Sequence, residues 1–259
     1  SGATFWSMKP PPFSTPHAWL ILLQFLSLPL LGHLLGTAGG HPALANLLTP
    51  FWVFVVFPLL DTWVGLDRRN PAPESETALA AQICWRLLQL AALPAFALLL
   101  CWGAPRFADT AVSSPLAALE LGIAVGIVGG AIGITFAHEL IHKSTALERN
   151  AGGVLLSLVA YGGFKVEHIY GHHVDVATPR DTSTARLGQS AYAFLLRSFL
   201  INPWRAWQLA GERLQARGLS PWHWRNEMIL WHGLTVAFAA GFTVWLGPAG
   251  LAYFTLQAF

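Results

Sequence analysis

Histidines are concentrated in one part of this chain, at spacings that suit metal binding. Five of the ten lie in the stretches His138-Glu-Leu-Ile-His142 and Glu167-His-Ile-Tyr-Gly-His-His173. Histidines at i and i+4 of an α-helix lie about 40° apart on one face, so their imidazoles can share an ion. Helical geometry puts His173 about 140° around the helix from His168. The pattern predicts a metal centre with five ligands: His138, His142, His168, His172 and His173.

The elements that must position these histidines are membrane helices. The chain has 259 residues, of which 54% are apolar and 11% charged, whereas a soluble domain has about 25% charged residues. The composition predicts an all-α, polytopic membrane bundle of about six spans, forming one integral-membrane domain over residues 1–259. We expect no nucleic-acid partner. Runs long enough to cross about 30 Å of hydrocarbon lie at 17–37, 47–66, 83–103, 115–137 and 227–246, and a sixth begins near 249.

Basic residues indicate the orientation. Ten of the fifteen lie in residues 143–225, and the 38–46 loop has none. By the positive-inside rule, the long basic segment and the N-terminus face the cytoplasm. Residues 115–138 make about 35 Å of helix, which brings the first histidine box out at the cytoplasmic end of the fourth span.

The segment after the first box is predicted to form a cytoplasmic helical cap that carries the boxes. Residues 151–164 are apolar but too short to span, which favours a re-entrant or interfacial helix. Residues 191–217 mix aromatic, apolar and basic side chains. They are predicted to form helices on the cytoplasmic face, interrupted at Asn202-Pro203.

Two other functions are compatible with parts of this pattern. The first box matches H-E-x-x-H, in which Glu139 would be the general base of an intramembrane zinc metalloprotease. That interpretation leaves the second-box histidines unused, whereas two redox-active metals would use them. It predicts that Glu139→Gln abolishes turnover. A non-enzymatic metal-handling protein would instead bind metal reversibly without consuming oxygen.

Asp61 lies near the cytoplasmic end of the second span. Acids inside membrane segments are rare and usually functional. A carboxylate often hydrogen-bonds the second nitrogen of a metal-bound histidine, and Asp61 is a candidate for that role. A helix cap, or a pairing with Arg68 or Arg69, explains its position equally well.

The two boxes together resemble the bacterial membrane-bound alkane 1-monooxygenases, which belong to the histidine-box diiron superfamily of hydroxylases and desaturases. The resemblance extends over nearly the whole chain. It includes His173-Val-Asp-Val-Ala-Thr-Pro-Arg-Asp181, Ala185-Arg-Leu-Gly188 and Asp61-x-x-x-Gly65-x-Asp67-x-x-Asn70-Pro71.

This resemblance implies terminal hydroxylation of a medium-chain alkane to a primary alcohol in the bacterial inner membrane. It implies two non-haem irons, O₂ as co-substrate and electrons from rubredoxin, which would meet the basic cytoplasmic face. Xylene monooxygenases and fatty-acid desaturases share the superfamily and remain alternatives. The family pattern continues with a third box of the Gln-Arg-His-x-x-His-His kind, whereas this sequence ends at Phe259. We therefore expect a C-terminally incomplete chain that lacks further ligands.

Overall fold

A computed structural model describes residues 15–65 and 83–258, and it is helical throughout these ranges apart from turns and loops. This confirms the predicted all-α class. Arg68, Arg69 and the Asp67-x-x-Asn70-Pro71 part of the motif lie outside the described residues. The α-helices are α1 (Thr15–Gly39), α2 (Pro42–Asn46), α3 (Leu48–Phe51), α4 (Phe57–Val64), α5 (Ile83–Ser113), α6 (Pro115–Val128), α7 (Thr135–Ile141), α8 (Ala146–Leu158), α9 (Phe164–Glu167), α10 (His173–Asp175), α11 (Ala191–Gln215), α12 (Glu227–Leu246) and α13 (Pro248–Ala258). Three π-helical turns interrupt them: π1 (Trp52–Val56), π2 (Gly129–Ile134) and π3 (His168–His172).

Helical stretches long and apolar enough to cross a membrane coincide with the first five predicted spans. Within the described ranges they are Trp19–Gly39, Ala43–Val64, Ile83–Ser113, Pro115–Ile141 and Glu227–Leu246. The helix expected near residue 249 begins at Pro248 and is described over 11 residues. A sixth span therefore stays a prediction.

The hairpin of α5 and α6 forms the centre of the bundle. Ser114 ends one helix and caps the next, because its hydroxyl accepts a hydrogen bond from the Ala117 N–H and Pro115 occupies the first helical position. Phe96 of α5 and Leu121 of α6 are fully buried. Gly103 lets Tyr253 of α13 approach closely, since a Cβ there would collide with the tyrosine oxygen. Such small residues allow membrane helices to pack side by side.

Helix α8 turns back into the bundle directly after the first box. Thr145 caps it, because its hydroxyl accepts a hydrogen bond from the Glu148 N–H and donates one to the Glu148 carboxylate. Arg86 of α5 donates to the same carboxylate over 2.9 Å. The buried carbonyls at the far end of α8 are satisfied by side chains, because Thr235 donates to Ser157 O and Gln257 to Leu158 O. The expected short helix is present, although it runs from Ala146 to Leu158 rather than over 151–164. Whether it is re-entrant or interfacial in the membrane stays a prediction.

The close contact between α7 and α8 depends on Gly152. A Cβ at this position would lie 2.8 Å from Cγ2 of Ile141 and 2.9 Å from the carbonyl oxygen of Ala137. The second of these atoms belongs to the backbone and cannot rotate away. Gly152 therefore sets how closely the returning chain approaches the helix that carries the first box.

The predicted interruption at Asn202-Pro203 is wrong. Helix α11 continues through Pro203 as one element of 25 residues. The missing N–H of a proline costs one hydrogen bond, which an otherwise well-packed helix can tolerate. Asn202 is buried, and its amide donates to the Ser183 hydroxyl rather than ending the helix.

Replacing Gly152 with alanine is expected to destabilise the protein by about 1–3 kcal/mol, since the added methyl meets backbone. The melting temperature in detergent should fall by roughly 2–4 °C per kcal/mol. Gly241→Ala is the control: this glycine also lies within a helix, but no atom lies within 4 Å of a Cβ built there. The control should be neutral or slightly stabilising. Equal melting temperatures for the two variants would contradict this account.

Candidate metal centre

The first box lies at the end of the fourth span. The backbone widens through π2 and resumes as α7, which carries His138 on its last turn and ends at His142. Arg149 closes this end, because its guanidinium donates to the carbonyls of Lys143 and Ser144. The two imidazoles face each other edge to face, with ring centroids 4.9 Å apart. The predicted pairing of His138 and His142 on one face is confirmed.

The second box reaches the same place on the way out of the bundle. After α8 the chain reverses at Ala160, where φ is +52°. It then passes close to Trp231 at Gly162, where a Cβ would collide with the tryptophan. Phe164 then begins α9 and stacks on the His168 ring at a centroid distance of 4.7 Å. His168 is therefore buried by an aromatic neighbour on one side.

The predicted geometry of the second box is wrong in one respect. The His173 N–H bonds to the His168 carbonyl, an i→i+5 bond that defines π3. This wider turn brings residues five apart onto one face, so the 140° separation expected from an α-helix does not occur. Nε2 of His173 lies 3.0 Å from Nε2 of His168, while His172 stacks behind His168 with ring centroids 5.4 Å apart.

Four imidazoles converge in this way from two separate segments. Nε2 of His168 also lies 3.1 Å from Nε2 of His142, and ligand atoms of His138, His142 and His168 lie within 4.8 Å of one another. The rings of His142 and His173 have centroids 4.7 Å apart. The cluster is buried at His168 and open at His142.

His142 and His168 favour the neutral form of imidazole. Burial, and then the neighbouring histidines, lower the pKa of His168 to about 3. The pKa of His142 is also lowered, first by burial and then by His138. Only neutral imidazole offers a lone pair to a metal. At neutral pH these two nitrogens are therefore available as ligands.

His172 is held by a carboxylate that the sequence motif did not single out. Its Nδ1 lies 2.9 Å from Oδ2 of Asp181, which is buried. Burial acts to raise the pKa of Asp181, but hydrogen bonds from Thr184, Ser183 and His172 outweigh it and leave that pKa below its usual value. This bond leaves Nε2 of His172 free to bind a metal, the usual arrangement behind a ligating histidine.

Glu167 joins the same polar scaffold. Its carboxylate is almost fully buried and accepts hydrogen bonds from the hydroxyls of Thr182 and Ser183. Burial raises the pKa of this group. Gly171 makes room for it, since a Cβ there would lie 3.2 Å from Oε1 of Glu167. The loop after the second box is thus tied to π3 by two acids.

Neither of the two acids singled out from the sequence is buried among the histidines. Asp61 is exposed near the end of α4, and no side-chain partner is found for it in residues 15–65 and 83–258. Its hydrogen bond to a ligating histidine therefore stays a prediction. Glu139 is about half exposed and lies 3.5 Å from Nδ1 of His138, so it borders the cluster from outside.

The donor set fits a metal ion that prefers nitrogen ligands. Imidazole suits iron, copper and zinc, whereas magnesium and calcium prefer oxygen. Two imidazole–metal bonds of about 2.1 Å, the value for zinc, meeting at a right angle place their nitrogens about 3 Å apart. The spacings around His168 are 3.0 and 3.1 Å. A membrane helix bundle with a histidine-rich centre able to bind metal is the class that these features define.

Residues 113–259, more than half of the chain, match the fatty acid desaturase family, and the chain belongs to that family. Alkane 1-monooxygenase 2 of Pseudomonas aeruginosa is 42% identical over 241 residues, which cover 93% of this chain and 64% of the relative. Alkane 1-monooxygenase 1 of that organism is 43% identical, with 93% and 63% covered. The xylene/toluene monooxygenase hydroxylase component of Pseudomonas putida is 25% identical over 147 residues, 57% of this chain and 40% of the relative.

These relatives confirm the resemblance to alkane monooxygenases and, with the apolar helices, identify a multi-pass membrane protein. The chain spans just under two thirds of the length of the two Pseudomonas aeruginosa enzymes.

Asp181→Asn is expected to weaken metal affinity by roughly 10–100-fold, because His172 would lose the acceptor that orients its ring. Affinity is measured by competition with a chromophoric chelator during metal loading of the purified protein. Asp109→Asn removes an exposed carboxylate on α5 and should leave affinity unchanged. Wild-type affinity in Asp181→Asn would rule out this role for the buried acid.

Proposed function

We propose that this chain belongs to a membrane-bound alkane 1-monooxygenase that converts a medium-chain alkane and O₂ to a primary alcohol. Residues 1–259 would then form part of a single integral-membrane catalytic domain. The observation that carries the proposal is the convergence of two histidine boxes, in a chain more than 40% identical to two alkane 1-monooxygenases. The proposed metal ligands are His138, His142, His168, His172 and His173.

Non-haem iron, two ions in the complete centre, would supply the oxygen chemistry that side chains cannot provide. The chain's own residues bind and orient. His168 offers a neutral nitrogen at the centre of the cluster, and Asp181 holds His172 in one orientation. Phe164 covers the buried side of His168, which keeps water from that face.

Two apolar cavities supply a path for a chain-shaped substrate. Each has a volume of about 420 Å³, and they share Ile134, Val159 and Ala258 in their walls. One extends along the glycine face of the fourth span past Ile123 and Gly130. The other is lined by Phe164, whose ring stacks on His168. An alkane threaded through both would end beside the histidine cluster, and apolar burial would supply its binding energy.

The electron donor is proposed to be a rubredoxin-type protein on the cytoplasmic face of the bacterial inner membrane. Residues 143–225 contain ten basic and five acidic residues. This positive excess would steer an acidic partner toward the metal centre. It also supports a cytoplasmic orientation for the boxes.

The zinc protease alternative has weaker support. It would use the first box alone and require Glu139 to face the metal-bound water. Glu139 borders the cluster from its exposed side, while His168 and His173 crowd against His142 instead. The relatives are named as monooxygenases.

The decisive test uses the full-length protein with rubredoxin and its reductase, assayed on octane. His168→Ala should lose iron, measured by mass spectrometry, together with nearly all hydroxylation. His41→Ala should retain both, because His41 lies exposed between the first two helices. The product should be the 1-alcohol, and an alkene would point to desaturation instead. Retention of iron and hydroxylation by His168→Ala would refute the ligand assignment.

Gly130→Leu is expected to shift the substrate preference several-fold toward shorter alkanes. Gly130 lines the cavity, and no atom lies within 4 Å of a Cβ built there, so a side chain can begin at this position without a clash and a leucine would reduce the space left for an alkane. The preference is measured by competition between octane and dodecane.

Gly241→Leu is the matched control, since this exposed glycine of α12 lines neither cavity. An unchanged product ratio in Gly130→Leu would exclude the cavity as the alkane path.

A further inference from the structure

A further concave site borders π3 through Tyr170 and includes none of the five box histidines in its walls. It is a cavity of about 70 Å³ between the end of α11 and the start of α12. This is well below the roughly 300–1,000 Å³ of pockets that hold organic ligands of drug size. Its walls include three arginines, Arg213, Arg217 and Arg225, together with Tyr170 of π3. The size and the guanidinium groups favour a small anion such as a phosphate group.

No acidic side chain of the described residues neutralises the positive charge of this pocket. Arg213, Arg217 and Arg225 are exposed and take part in no ion pair with the acids of residues 15–65 and 83–258. Glu227 is the one carboxylate in the wall, and it is already paired with Lys165 at 2.9 Å. A bound anion would therefore meet arginines whose charges no carboxylate of the described residues neutralises.

The protein holds two of these three arginines in place without an acidic partner. The Arg213 guanidinium lies over the Tyr170 ring, 3.6 Å from its centroid. Asn226 fixes the loop that carries Arg225, since its amide donates to Pro221 O and its side-chain oxygen accepts from the Met228 N–H. The pocket is thus largely formed before a ligand arrives, which lowers the cost of binding.

The location indicates which phosphate would occupy the pocket. The fifth span begins at Glu227, directly beside the cavity. Trp222 and Trp224 precede it and are 75% and 73% exposed. Tryptophan is enriched at the membrane–water interface, and arginines just outside a span attract anionic lipids. Lipid phosphates lie at this depth.

We propose that this pocket binds the headgroup phosphate of an anionic phospholipid. The lipid tails would lie along the exposed face of α12, where Ile229 and Leu230 point outward. The proposal is independent of the metal chemistry, because its ligand, its residues and its assay are separate from the histidine cluster.

The test titrates the delipidated full-length protein in uncharged detergent with dioctanoylphosphatidylglycerol, measured by calorimetry. One molecule per chain should bind at least tenfold more tightly than dioctanoylphosphatidylcholine. Arg217→Gln/Arg225→Gln should weaken binding roughly 30-fold, since each basic residue near a membrane surface contributes about fivefold. Arg213 is left in place because it also packs on Tyr170.

The control is Arg180→Gln/Arg186→Gln, which removes the same charge from exposed residues that do not line the pocket. It should stay within about twofold of the wild type. Arg217→Lys/Arg225→Lys, which keeps the charge, should retain most of the binding. That result would show that these positions tolerate substitution, so that weaker binding in the glutamine pair is due to the lost charge and not to misfolding.

Three results would overturn the proposal. Equal weakening by both glutamine pairs would indicate diffuse surface charge. Inorganic phosphate that binds as tightly as phosphatidylglycerol would indicate a site for a free anion. Unchanged phosphatidylglycerol binding in Arg217→Gln/Arg225→Gln, with loss of affinity for rubredoxin, would assign the arginines to a protein partner.

Discussion

The contact between α7 and α8 governs how the two histidine boxes meet. A chain that leaves the fourth span and re-enters the bundle must keep its backbone hydrogen-bonded throughout, because little water is available there. It does so as a helix whose buried last carbonyls accept hydrogen bonds from Thr235 and Gln257. Gly152 lets that helix lie against α7. The reversal at Ala160 then returns the second box to the depth of the first.

Once the boxes share a depth, π3 decides which histidines meet. The i→i+5 bond turns His173 toward His168, and His172 is left to face the loop that carries Asp181. π-Helical turns are rare and occur frequently at functional sites. Here the wider turn places His173, five residues on, on the same face as His168.

The charges on this side of the protein are arranged in two different ways. Beside the second histidine box, Glu167 and Asp181 are buried and hydrogen-bonded, Glu167 to the hydroxyls of Thr182 and Ser183. Buried carboxylates that are satisfied in this way make a loop rigid. Between α11 and α12 the arginines are exposed and lack acidic partners among the described residues. The first arrangement positions ligands, and the second is suited to attracting an anion from outside.

Local sequence patterns were enough to predict the helical class, the first five apolar spans, a short helix after the first box and the concentration of histidines in two boxes. These features follow from long apolar runs and from i, i+4 spacing, which are properties of short stretches of chain. Three-dimensional contacts were needed to establish that His173 meets His168, that Asp181 orients His172, and that α11 continues through Pro203. Each of these depends on backbone hydrogen bonds or on contacts between residues brought together by the return of the chain. A linear pattern does not record such bonds and contacts. A π turn has no distinctive composition, and a spacing of nine residues does not indicate that Asp181 meets His172.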